Sequence, residues 1–190
     1  MLEKIMNTDI NTGVANQNSL MYYAVNLINN GRIGDYTGIF FNIHNFKYVN
    51  KVFDYSQGDV ILRNYAHMLK TYLDSDEEIA RLGGDNFVVI CRNENASDFI
   101  SKIKDVHMSH EFRSVKRELQ LGVTAGIACL EGVDKPSEVM ARTSIAYQAA
   151  RKTGAGSIVV YTKEIQKQLM DDQEILADFP QALAAAEFVG

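Results

Sequence analysis

Glu78-Ile-Ala-Arg-Leu-Gly-Gly-Asp-Asn-Phe-Val-Val-Ile-Cys91 is the stretch on which the reading of this chain turns. Two short apolar runs, Ile79–Leu82 and Phe87–Cys91, flank Gly83-Gly84-Asp85-Asn86. Residues of these types tolerate positive φ, so the stretch predicts a β-hairpin with a tight tip. Gly83 and Gly84 lack Cβ atoms and let a phosphate or ribose approach the backbone closely. Asp85 at the tip places a carboxylate where a bound metal would meet it. On spacing alone, an ordinary surface hairpin fits the same residues.

Outward from the hairpin, helices alternate with strands. Upstream, Met1–Ile10 reads as a lead-in, and Asn16 is placed to cap a helix that Asn29-Asn30-Gly31 stops. Leu20, Tyr23, Ala24, Leu27 and Ile28 form its inward stripe. Tyr36–His44 is apolar on both faces, as a central strand should be, with Asn42 the one interruption. Phe46–Phe53 predicts a short helix and Gln57–Leu73 a longer one. Downstream, the spacing predicts a helix over Ala96–His110, with Phe99, Ile103 and Val106 inward, and a strand over Leu119–Cys129. Pro136 suits the first turn of a helix ending at Lys152, and Ser157–Tyr161 is the last strand. Lys163 to Leu176 reads as a long, mostly polar helix. This order predicts an α+β fold with helices packed on a mainly antiparallel sheet.

Composition narrows the class. The 190 residues are 46% hydrophobic, enough for one domain with an appendage, divided here as 1–162 and 163–190. Cys91 and Cys129 both fall in apolar runs and read as buried thiols of a cytoplasmic protein. A net charge of −5 and a pI near 5.4 argue against a nucleic-acid surface. No apolar run reaches the roughly 18 residues of a membrane span, so no membrane insertion is expected. His107 and His110 read as a solvated helix end. Lys102, Lys104, Arg113, Lys116 and Arg117 are interleaved with Asp105, Glu111 and Glu118 and read as a mixed solvated face. Tyr22, Tyr23, Tyr65 and Tyr72 read as core or rim packing.

Four blocks in order give the chain a family resemblance. Arg81-Leu-Gly-Gly-Asp-Asn-Phe87 resembles the Arg-x-Gly-Gly-Asp/Glu-Glu-Phe signature of the GGDEF domains of diguanylate cyclases. Asp9-Ile-Asn-Thr-Gly-Val-Ala-Asn-Gln17, Asn42-Ile-His-Asn-Phe-Lys-Tyr-Val-Asn-Lys51 and Gly58-Asp-Val-Ile-Leu62 are similar to three further blocks of that family. The resemblance, over about Asp9 to Tyr161, implies a palm-like nucleotidyl cyclase (ferredoxin-like) fold. It implies condensation of two GTP into cyclic di-GMP by a dimer, with Mg²⁺ or Mn²⁺ held by carboxylates. Asn50 and Asp59 match the pair that reads guanine, Phe46 and Lys47 the phosphate cradle with Gly83 and Gly84, and Asp85 a metal-bridging, catalytic carboxylate. Arg151 stands at a charged position of the last-helix motif.

The departures weigh against synthesis. Asn42 replaces a metal-binding Asp and keeps only a weak amide donor, while Asn86, His44 and Lys51 replace three more acids. Ala155 removes an Arg, and Asp74-Ser-Asp-Glu77 stands where the product-inhibition motif Arg-x-x-Asp belongs. Three readings follow. The first is a degenerate, regulatory GTP-binding module, the second an active cyclase, and the third a structural or dimerising module that binds no nucleotide. Residues 169–190 resemble the linker between GGDEF and EAL phosphodiesterase domains. The expected partners are therefore GTP, a second copy, or an EAL-like neighbour within a longer sensor.

Overall fold

Apolar side chains on both faces make Tyr36–Ile43, β1, the middle strand of the sheet, and it is buried at six of eight positions. In the computed structural model, which describes residues 2–173, the sheet order is β2-β3-β1-β6-β7. Here β2 is Glu78–Gly83, β3 Asn86–Arg92, β6 Val123–Cys129 and β7 Ile158–Val160. All pairings are antiparallel except β6 with β7. The helices are α1 (Leu2–Asn7), α2 (Gln17–Asn29), α3 (Phe46–Phe53), α4 (Tyr55–Lys70), α5 (Asn93–Ile103) and α6 (Pro136–Thr153). Residues 163–173 form a further helix, α7.

The two-residue period of β1 divides the core in two. Ile39, Phe41 and Ile43 face α3, α4 and α5, where Phe41 stacks on Phe87 and packs near Phe99. Tyr36 and Phe40 face the other way, toward Leu20, Ala24 and Leu27 of α2 and Val139 of α6. On this second face Gly126 lets the backbone of α6 lie directly on β6. A Cβ there would sit 2.5 Å from the Ala146 carbonyl carbon and 2.6 Å from the Thr143 oxygen. Asn16 caps α2 through its side chain, which accepts from the Ser19 amide at 3.0 Å, and Pro136 occupies the first turn of α6. α7 folds back along α6, with Leu169 buried and Lys152 paired to Asp172 at 2.8 Å.

The expected α+β architecture is present, with local corrections. The helix expected over Ala96–His110 ends at Ile103, and Val106–Phe112 is a strand, β4, hairpinned to β5 (Val115–Leu121) in a separate two-stranded sheet. His110 is accordingly not a solvated helix end. It is buried, its Nε2 lies 2.8 Å from Gln57 Oε1, and its ring meets Phe53 edge-on. The strand expected over Leu119–Cys129 breaks at Gly122, where a Cβ would collide with the His44 ring and β5 leaves the line of β6. Cys129 is exposed rather than buried, because it lies at the end of β6. Tyr22 is 69% exposed on the outer side of α2, whereas Tyr65 is fully buried. The part of the last predicted helix beyond residue 173, and the linker reading of 174–190, lie outside the described residues.

Candidate functional site

At its carboxyl end β1 passes through Asn45, in the left-handed conformation at φ 63°, and turns into α3. The turn leaves a recess of about 410 Å³ lined by Asn42, Ile43, His44, Asn45, Phe46, Lys47, Tyr48, Lys51 and Asp85. Six of the residues singled out in the sequence therefore meet here: Asn42, His44, Phe46, Lys47, Lys51 and Asp85. Strand register sets the neighbours of Asn42, which lies opposite Asn86 of β3 and Thr124 of β6. Its Nδ2 donates to Asn86 Oδ1 at 2.9 Å and, more distantly, to the Asp85 carbonyl at 3.5 Å. The Asp85 side chain makes no hydrogen bond or ion pair among the described residues.

The donor set can be tested against a divalent metal. Mg²⁺ and Mn²⁺ favour several oxygen ligands, charged ones above all. The recess offers the one carboxylate of Asp85, and Asn42, whose Nδ2 is turned to Asn86, adds no more than a neutral amide oxygen. Among the described residues no three His, Cys, Asp or Glu side chains converge. These residues do not fit a pair of divalent cations.

The other predicted residues lie around this recess in separate groups. Asn50 of α3 rests on Gly58 of α4 so closely that any Cβ there would collide with its Oδ1, and Asp59 is the next residue along. Asp59 is exposed, and its backbone carbonyl accepts from Asn11 Nδ2 at 3.2 Å. Gly83 and Gly84 form the exposed hairpin tip at φ 127° and 55°, with open space where side chains would stand. Arg151 is exposed on α6, one turn beyond Tyr147. Sequence reading missed Tyr147, which stacks on Phe40 with ring centroids 4.5 Å apart. Burial pushes the Tyr147 phenol pKa up, Arg151 draws it down, and Asp85 raises it.

A second feature missed from sequence is the clasp behind the hairpin tip. Arg81 Nε donates to the Gly84 carbonyl at 2.8 Å, and its Nη1 donates to Asp9 Oδ1 at 3.1 Å. That same Asp9 oxygen accepts from the Thr12 amide at 2.8 Å and hydroxyl at 2.7 Å. Burial alone would raise the Asp9 carboxyl pKa, but the bonds from Thr12 and Arg81 outweigh it and hold the group below its ordinary value. Both residues stood in blocks quoted above, yet nothing in the spacing joined them. A depressed carboxyl contributes stability that is full above its unfolded pKa of about 3.9 and fades as pH falls through the folded value. Asp9→Asn should therefore lower the urea midpoint at pH 7, with the gap from wild type narrowing by pH 3. A gap of equal size at both pH values would assign the loss to packing rather than charge.

The stretch Asp74–Glu77 is held by its own contacts. Glu77 accepts from the amides of Asp74 (2.8 Å) and Arg92 (3.0 Å) and from Asn95 Nδ2 (2.7 Å). Asp76 is gripped by Arg92, which with the Tyr36 hydroxyl at 3.1 Å holds its carboxyl pKa low against the effect of burial.

Comparison with known proteins adds to this geometry. The family model described as "Diguanylate cyclase, GGDEF domain" matches residues 6–157. The cyclic di-GMP phosphodiesterase PdeR of Escherichia coli is 27% identical over 176 residues, which is 90% of this chain and 26% of PdeR. The probable diguanylate cyclase DgcE of the same organism is 31% identical over 127 residues, 65% of this chain and 12% of DgcE. This chain thus spans about a quarter or less of the length of either relative. The solved GGDEF domain of TpbB (YfiN) from Pseudomonas aeruginosa superposes with a TM-score of 0.72 at 20% identity, over 86% of this chain and 99% of that one.

Proposed function

The chain belongs to the GGDEF domain family, and from that membership we propose that it serves cyclic di-GMP signalling as a GTP-binding regulatory module, not as a cyclase. The observation that carries this reading is the Asn42–Asn86 pair. Two neutral amides are bonded to each other beside Asp85, where the chemistry of joining two GTP molecules calls for clustered negative charge. In that reaction a 3′-hydroxyl attacks an α-phosphate, and without the metals the hydroxyl would lack the cation that makes it a nucleophile.

Base recognition makes no such demand. Asn50 packs on Gly58 and the exposed Asp59 is the next residue of α4, and to this amide and this carboxylate we assign the edge of guanine. A carboxylate accepts from two adjacent N–H groups, which suits N1 and N2 of that base. Calorimetry with GTP tests the reading. Asp59→Ala should weaken binding by about tenfold to a hundredfold, the range for hydrogen bonds to a charged group. Identical traces for wild type and variant would favour a module that binds no nucleotide.

The same reading extends to partners. A module that binds GTP without consuming it has to act on something else. We infer a second copy, or a phosphodiesterase domain of the kind named in PdeR, as that target.

A further inference from the structure

The recess beside β1 carries charge of the wrong sign for a divalent cation and of the right sign for a polyphosphate. Lys47 and Lys51 line it one helical turn apart on α3, both exposed. Among the described residues neither forms an ion pair, and like charges at this spacing repel. An anion lodged between them removes that repulsion. The amino end of α3 opens on the same recess. Asn45 gives it no side-chain cap; the Tyr48 N–H donates to the Asn45 carbonyl at 2.9 Å, which leaves the Phe46 and Lys47 N–H groups at the positive end of the helix dipole. His44 adds an imidazole whose Nδ1 is buried without a hydrogen-bond partner among the described residues. Against these stands a single carboxylate, Asp85.

We propose that this recess takes the triphosphate tail of the nucleotide directly, Lys47, Lys51 and the amino end of α3 supplying the positive charge that divalent cations would otherwise bring. Binding is then independent of Mg²⁺. The inference rests on the GTP-binding reading above and specifies how that same site handles the tail. The recess, about 410 Å³, falls within the range of small-ligand sites. Because the lysines are exposed, their attraction for the tail is screened by salt and weakens as ionic strength rises.

Calorimetry with three probes decides it: GTP, guanosine and inorganic tripolyphosphate, each titrated in EDTA and again in excess Mg²⁺. GTP should bind in EDTA at least as tightly as in Mg²⁺, and tripolyphosphate should also bind in EDTA. Lys51→Glu should weaken both by about tenfold or more, as expected for reversing one charge near a phosphate in a partly solvated site. It should leave guanosine binding and the melting temperature unchanged, because Lys51 is exposed and forms no ion pair among the described residues. GTP binding that appears only with Mg²⁺ and is lost in Asp59→Ala would overturn the inference while leaving the GTP reading standing. Absence of GTP and guanosine binding under both conditions would remove both.

Discussion

Incubated with GTP and either Mg²⁺ or Mn²⁺, this domain should form no cyclic di-GMP above a protein-free control. The expectation rests on two positions. Loss of a general base or of a charge-stabilising group typically lowers a rate by about 10² to 10⁴ each. Asn42 and Asn86 together therefore place synthesis at least about 10⁴ below a domain with acids at both. The pair also suggests the repair. Asn42→Asp combined with Asn86→Glu replaces two bonded amides with carboxylates next to Asp85, and the three acids would repel until a cation joined them. Calorimetry should then show Mn²⁺ affinity at least tenfold above wild type, a factor that corresponds to about 1.4 kcal/mol. Nucleotide product from the unaltered chain at rates typical of enzymes, about 1 s⁻¹ or faster, would end the non-synthetic reading.

The largest effect on stability should come from the smallest substitution. Gly126→Ala inserts a methyl group into the seam between β6 and α6, where it meets the backbone at Thr143, Ala146 and Tyr147. Backbone cannot rotate away as a side chain can, so α6 must move as a body. Overpacking commonly costs about 1 to 3 kcal/mol, and with only backbone to yield we expect about 3 or more. At roughly 2 to 4 °C per kcal/mol for a chain of this size, the melting temperature should fall by at least about 6 °C. Gly38→Ala is the control. Its nearest obstacle is the Cγ2 of Thr143, 2.7 Å away, which is a side chain, and the loss should be less than half as large. Equal losses at the two glycines would mean that the helix does not rest on the sheet as described.

The elements legible in the sequence are those with an unambiguous apolar period. Helices α2, α3 and α6, strand β1 and the β2–β3 hairpin all appear within a few residues of their expected bounds. The β4–β5 ribbon escaped for a physical reason. Val106-His-Met-Ser-His-Glu-Phe112 has mostly polar residues on its outward side, and its turn uses Arg113 and Ser114, at φ 51° and 62°, where glycine or asparagine would have announced it. At the site, the chemistry of individual residues could be read but their pairing could not. That Asn42 faces Asn86 follows from strand register, which no local pattern encodes. Tyr147 lacked even a local sign, since an aromatic on an amphipathic helix is ordinarily taken for packing.

Arg81 gives the molecule one more property. Its guanidinium is a stiff plane, with one corner on the carboxylate of Asp9 and another on the carbonyl of Gly84. Its two ends lie on the chain's opening turn, where the Asp9 N–H donates to the Val14 carbonyl and the Gly13 N–H to the Asp9 carbonyl, and on the exposed glycine bend. The opening segment is also joined to β2 directly, by the Arg81 N–H donating to the Ala15 carbonyl at 2.9 Å, so the leading residues and the hairpin are linked along two routes, one through a side chain and one through backbone.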